Sequence, residues 1–242
     1  MKTIKGVKHP KKIEAEYYRS IRKMAGDIYR VFRKNVDLKD FSDSRSTQIS
    51  AFDKAVDKIV RRSNVIASIY TERLYKYFNR SFQKNTAKVD FGINIRQLMK
   101  GDIETVSLLG DNAEMYIEKY GNDVASWLKG AVRQNYVEGG SYSNLVKEIK
   151  ERAGVDNRKA KLIARNESGN LIGTMNVKRG DDLGVKKGVW RTMKDERVRE
   201  SHRKADGKVF DLKKGLMVDG VYTWPSLPIR CRCYLEYVIE GK

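Results

Sequence analysis

Apolar residues recur at steps of three and four over the first two-thirds of the chain, and the last segment alternates at steps of two. Ile13, Tyr17, Ile21, Met24, Ile28 and Val31 make one stripe on a helix of about six turns. A turn is expected over residues 37–44. Ile49, Phe52, Val56 and Ile59 resume the helical spacing. A third helix starts near Asn64, with Ile66, Ile69, Tyr70, Leu74, Tyr77 and Phe78 directed inward. No proline occurs between Pro10 and Pro225, so the strongest helix breaker is missing from this whole stretch. Residues 86–111 are less periodic and contain Gly92, Gly101 and Gly110, which reads as a connection with a short helix at most.

Three more helices are expected, over 111–138, 141–152 and 157–180. Asp111 can cap the first, with Glu114 as its capping-box partner. Met115, Val124, Leu128, Ala131 and Val132 suit its buried face, and Gly139-Gly140 ends it. Ser141 or Ser143 opens the second, with Leu145, Val146 and Ile149 inside, and Gly154 closes it. Asp156 caps the third, whose stripe is Ala160, Ile163, Ala164, Leu171 and Met175 and whose end falls near Gly180. Gly169 and Gly173, four apart on this helix, would let another backbone approach closely.

Short β-branched and aromatic pieces follow, KKGVWRTM, KVF, GLMV, VYTW and RCRCYLEYVIE, predicting short strands over 187–239. Asp219-Gly220, between GLMV and VYTW, is a strong hairpin-turn signal. In the last piece Cys231, Cys233, Leu235 and Tyr237 point one way, and Arg232, Tyr234, Glu236 and Val238 the other. The fold class is therefore α+β, a mainly α-helical N-terminal two-thirds followed by a small C-terminal β-containing module. Residues 1–104 form a basic helical arm or bundle, and residues 105–242 a second domain. There is no internal repeat.

Composition narrows the function classes. The 242 residues include 50 Lys+Arg against 31 Asp+Glu, a formal net charge of +19, and a pI near 9.8. Polyanions are the default partners of such a chain. The excess lies in two clusters, residues 1–34 and 186–214. Lys11, Lys12, Arg19, Arg22 and Lys23 in the first, and Lys186, Lys187, Arg199, Arg203 and Lys204 in the second, are candidate DNA contacts. The simpler alternative is a solvated surface. No helix-turn-helix, zinc-finger repeat or RNP motif is present, so contact with nucleic acid would be directed at the backbone and weakly sequence-specific. No apolar run approaches the roughly 20 residues that span a bilayer, and the basic N-terminus lacks the apolar core of a secretory signal. Two cysteines cannot make a disulfide scaffold.

One of the two histidines, both cysteines and several aspartates fall close together near the C-terminus. Cys231 and Cys233, if on a strand, share a face and could bind one ion, with His202 and either Asp195 or Asp206 completing a tetrahedral zinc site. Reduced core thiols, a hydrogen-bonding histidine, a turn or cap role for Asp195 and a tight turn at Asp206-Gly207 account for the same residues without metal. A metal-dependent nuclease or other hydrolase could be assembled from His202, Asp195, Asp206, Cys231 and Cys233. GxSxG, P-loop, HExxH and dinucleotide motifs are absent. Arg165 and Glu167 lie on a mostly apolar helix, where buried charges need partners. Asp195, or the loop carrying Arg197 and Arg199, is their expected source.

The run SYSNLVKEIKERAGVDNRKAKLIARNES, then GVWRTMKDERVRESHRKADGKVF, then CRCY, resembles the phage Mu F-type head morphogenesis family, the minor head (minor capsid) proteins of tailed phages and prophages. The likeness covers about residues 105–238. Arg165-Asn166-Glu167 stands where Arg-Thr-Glu is more usual, and Arg230 where Asn or His precedes Cys-Arg-Cys. The resemblance marks Arg165, Glu167, Trp190, Asp195, Arg197, His202, Asp206, Gly207, Cys231 and Cys233 as domain-defining positions. It implies a virion component assembled in the bacterial host cytoplasm and present at the capsid interior or portal vertex. Its implied partners are portal, capsid or scaffold proteins and packaged double-stranded DNA, with no membrane. It implies no enzyme, no catalytic residue and no cofactor, zinc remaining the one alternative.

Overall fold

The computed structural model describes residues 2–37, 45–89, 91 and 95–239. The turn expected over 37–44 lies almost entirely outside the described residues. Seven helices are described: α1 (Lys11–Asn35), α2 (Arg45–Val60), α3 (Arg62–Thr86), α4 (Ile95–Leu98), α5 (Ile103–Val137), α6 (Tyr142–Asp182) and α7 (Glu200–Ala205). The strands are β1 (Lys2–Lys5), β2 (Lys187–Arg191), β3 (Val209–Asp211), β4 (Leu216–Val218), β5 (Val221–Thr223) and β6 (Tyr234–Ile239). Helix thus dominates the first three-quarters and a small antiparallel sheet the last, which is the α+β class expected. No helix among the described residues is long and apolar enough to cross a membrane.

The chain divides into two compact units, whose boundaries fall inside α1, α3, α5 and α6. One unit comprises residues 15–69 and 110–164. Its core is helical: Tyr17, Ile21, Met24, Ile28 and Phe32 of α1, Phe52, Val56 and Ile59 of α2, and Ile117, Val124, Leu128 and Val132 of α5. Phe32 and Phe52 meet edge to face at 5.3 Å.

The other unit comprises residues 1–14, 70–109 and 165–242. It holds a four-stranded antiparallel sheet in the order β1-β6-β2-β3 and the separate hairpin β4-β5. Ile4, Val7, Phe78, Phe82, Met175, Trp190, Phe210, Leu235 and Tyr237 share its core. The sheet joins both chain ends, because β1 pairs with β6 from Lys2↔Ile239 to Lys5↔Glu236. Just after β1, the Asn176 side chain acts as a one-residue strand partner. Its Oδ1 accepts the Val7 N–H at 2.8 Å, and its Nδ2 donates to the Val7 carbonyl at 2.9 Å. The Asp219-Gly220 turn is as expected, with both residues at positive φ.

Several boundaries and facings differ from the sequence expectation. Helix α5 starts at Ile103, so Asp111 is an interior helical residue rather than a cap. Val106 and Leu109 pack on the apolar core, which outweighs the cost of about 1 kcal/mol for Gly110 inside a helix. Met115 is exposed, because the buried face runs through Ala113, Ile117 and Tyr120, and Ile69 is exposed as well. The helices expected over 141–152 and 157–180 are one helix, α6. Ser141 does cap it, accepting the Asn144 N–H at 3.2 Å. Asp156 does not cap; it is buried, and accepts Tyr29 Oη–H at 2.7 Å and Arg152 Nε–H at 3.1 Å. Helix α6 runs past Gly180 to Asp182 and closes at Gly184, where Val185 N–H returns to the Gly180 carbonyl at 2.9 Å. Cys231 and Cys233 precede β6 rather than lying on it, although both are buried on the side expected.

Candidate functional site

The domain-defining positions gather around α6, β2, α7 and the segment leading into β6. Gly169 and Gly173 on α6 allow this. A Cβ at Gly169 would stand 2.9 Å from the Ser226 carbonyl oxygen, and one at Gly173 would stand 2.6 Å from Leu227 Cδ2. The segment after β5 therefore lies directly on the helix. It is fixed there by Arg230 N–H to Asn166 Oδ1 at 3.0 Å, Ser226 Oγ–H to the Cys233 carbonyl at 2.8 Å, and Arg199 Nη2–H to the Ile229 carbonyl at 2.7 Å.

Arg165 donates from Nη2 to the Cys231 carbonyl at 2.7 Å and from Nη1 to Glu14 Oε2 at 2.6 Å. Its acidic partner is thus at the start of α1, not Asp195 as expected. Glu14 also accepts a hydrogen bond from His9 Nε2. Burial alone would raise the Glu14 carboxyl, but the hydrogen bond of His9, its charge once it is protonated at acid pH, and the bond and charge of Arg165 hold it at about 2. Burial pushes His9 below its ordinary value, so it is neutral at pH 7 and the Nε2–H tautomer fits its contact with Glu14. Glu167 is buried and accepts Asn170 Nδ2–H at 3.4 Å.

Asp195 is clasped by Arg232, whose Nη1 and Nη2 each donate to one carboxylate oxygen at 2.6 Å. That pair holds the Asp195 carboxyl below the usual range, and Arg197 stands 3.6 Å away. Asp206 Oδ1 accepts the Thr192 N–H at 2.7 Å and its hydroxyl at 3.2 Å. Gly207, at φ +80°, sends its N–H to the Trp190 carbonyl at 2.8 Å. Both aspartates are therefore engaged in fixing loops.

His202, Cys231 and Cys233 do come together, all buried, with their donor atoms within 4.8 Å of one another. Among the described residues Asp195 and Asp206 are not part of that group. The five-residue cluster needed for a nuclease is thus not assembled. His202 Nδ1 lies 3.3 Å from Cys233 Sγ and 3.6 Å from Cys231 Sγ. The Cys233 N–H donates to Cys231 Sγ at 3.3 Å. Trp190, fully buried, stands edge to face with His202 at 5.3 Å. Among the described residues its indole N–H makes no hydrogen bond of normal geometry. A hydrogen bond from Cys233, opposed by burial and aided by His202, pushes Cys231 down, while the same hydrogen bond, burial and the Cys231 charge push Cys233 up.

The candidate DNA contacts Lys11, Lys12, Arg19, Arg22, Lys23, Lys186, Lys187, Arg199, Arg203 and Lys204 are all exposed. On α1 beyond Ala15, Arg19, Arg22, Lys23, Arg30, Arg33 and Lys34 share the outer face opposite Ile21, Met24 and Ile28. Arg203 donates to the Glu196 carbonyl at 3.2 Å, and so, like Arg199, also serves a loop.

Residues missed in the sequence include Glu14, His9 and a buried pair in the same unit, Arg179 with Asp102, joined by Tyr75 Oη–H to Asp102 at 2.8 Å. The one signal for the last was an arginine inside an otherwise buried helix face.

Residues 127–236 match the family described as phage Mu protein F like protein. Minor head protein GP7 of Bacillus phage SPP1 is 23% identical over 261 aligned positions, covering 96% of this chain and 81% of that protein. An uncharacterized protein of Haemophilus influenzae is 27% identical over 158 residues, 65% of this chain. The chain spans only 34% of that protein's length. No solved structure gives a significant match. Every domain-defining position lies inside the matched segment, and over residues 127–236 the chain is similar to the phage Mu protein F like family.

Proposed function

We propose that this chain is a minor head protein acting in phage head morphogenesis, sited at the portal vertex or capsid interior and contacting packaged DNA through its phosphates. The observation that carries this reading is the alignment with minor head protein GP7, which runs over nearly the whole chain rather than over the family segment alone. Two structural features support it. The domain-defining residues are spent on holding loops to helices, as an assembly module requires. The basic excess is displayed outward, where phosphates could reach it. Portal, capsid or scaffold proteins are the protein partners, and no catalytic step is assigned.

The test is assembly. Procapsids built with and without the portal protein are mixed with the purified chain and sedimented. The chain is expected in the procapsid fraction in a portal-dependent manner. Equal recovery with portal-less shells would overturn portal siting, and failure to co-sediment with either would overturn the head role.

A further inference from the structure

We propose that His202, Cys231 and Cys233 bind a single zinc ion through His202 Nδ1 and the two sulfurs, and that the ion fixes the segment leading into β6 to α7. A zinc–sulfur bond near ~2.3 Å and a zinc–nitrogen bond near ~2.0 Å, at a tetrahedral angle, separate N and S by about 3.5 Å. The separations here are 3.3 and 3.6 Å. Both nitrogen–sulfur edges of a zinc tetrahedron are thus nearly set and the two sulfurs lie within 4.8 Å of one another, leaving the fourth position to a water or another small ligand.

The surroundings suit an ion. Two thiols and an imidazole form a borderline-soft donor set that favours zinc over magnesium or calcium. The Cys233 N–H points at Cys231 Sγ, a contact that stabilises a thiolate. The backbone around the thiols is fixed without help from metal, by Arg165 on the Cys231 carbonyl, Ser226 on the Cys233 carbonyl, and the Cys231 N–H on the Pro228 carbonyl. His202 Nε2 is buried and lacks a hydrogen bond among the described residues. The Asp219 carboxylate stands 3.8 Å from that nitrogen, placed to orient a ligating histidine through its far side. An ion would add to these contacts between short elements. Helix α7 has six residues, too few to be stable alone, and residues 224–233 contain no strand or helix.

The decisive measurement is made on the reduced, untagged wild-type chain, and so does not depend on any variant folding. Cobalt(II) added to metal-stripped protein should give thiolate-to-cobalt charge transfer and tetrahedral ligand-field bands, saturating at one ion per chain. Zinc should then displace the cobalt. Elemental analysis of protein purified without chelator should find one zinc per chain. Cys231→Ser and Cys233→Ser, with far-ultraviolet dichroism unchanged, should each weaken the charge-transfer signal, and the double variant should lose it. A folded wild-type chain with no such signal and no zinc would overturn the proposal and leave a hydrogen-bonded thiol–imidazole cluster. Cobalt bands that persist in the double serine variant would overturn it equally.

Discussion

Glu14 is a carboxylate mostly removed from solvent, with a neutral histidine on one side and an arginine on the other. Removing its charge leaves the buried Arg165 guanidinium facing neutral acceptors, the Cys231 carbonyl among them. Breaking a buried pair in this way costs about 3–5 kcal/mol, so Glu14→Gln is expected to lower stability at pH 7 by about 3 kcal/mol, read as a shift in the urea midpoint. The folded carboxyl sits at about 2 against an ordinary 4.5. Its contribution is complete above 4.5 and is lost as the pH falls toward 2. The gap between wild type and Glu14→Gln should therefore shrink at acid pH, and a gap as wide at pH 2 as at pH 7 would refute the pairing. Half of this was legible in the sequence. An arginine on an apolar helix announces a need for a partner. The partner lies 151 residues away in a basic run whose few acids look like dilution, and no local pattern connects the two.

Helix α6 shows what periodicity reveals about an element and what it hides. Its apolar spacing, its Ser141 cap and the close approach at Gly169 and Gly173 were all readable, because each follows from local geometry. Its continuity was not, because Asp156 has the chemistry of a cap but bonds Tyr29 and Arg152 instead. The two glycine sites make opposite predictions. At Gly154 an added Cβ meets nothing nearer than Arg158 Nη1 at 3.9 Å. Gly154→Ala is therefore expected to stabilise by about 0.5–1 kcal/mol, the ordinary gain inside a helix. At Gly169 the Cβ meets a backbone carbonyl that cannot rotate away. Gly169→Ala is expected to destabilise by about 1–3 kcal/mol. Thermal melts of the two variants compare them directly, and a destabilising Gly154→Ala would mean that the helix breaks where the glycine first suggested. The strands after α6 were legible by type, whereas β1 was missed because its four residues carry too little pattern to show their pairing with β6.

At the scale of the molecule the governing quantity is the charge of +19. A surface can be basic merely to remain soluble, or because it meets phosphate, and the salt dependence of DNA binding separates the two. Each phosphate contact releases condensed counterion and adds about 0.9 to the slope of log affinity against log salt. The two basic clusters can be tested independently. On α1, Arg19, Arg22 and Lys23 are exposed and turned from the apolar stripe, so reversing all three to Glu leaves the core intact. In the second cluster Lys186 and Lys204 are the clean choices, since Arg199 and Arg203 also hold loop carbonyls and their loss would confound folding with binding. If both faces meet DNA, the α1 triple reversal should reduce the slope by roughly 2–3, and the Lys186/Lys204 reversal by roughly 2. Binding should weaken alike on any sequence, because phosphates carry no base identity. A slope that falls for one cluster alone would assign DNA contact to that face and leave the other as solvated surface. Wild-type protein that fails to bind duplex DNA at about 50 mM salt, where the electrostatic contribution is large, would remove DNA contact from the function while leaving the head-assembly role to stand on procapsid sedimentation.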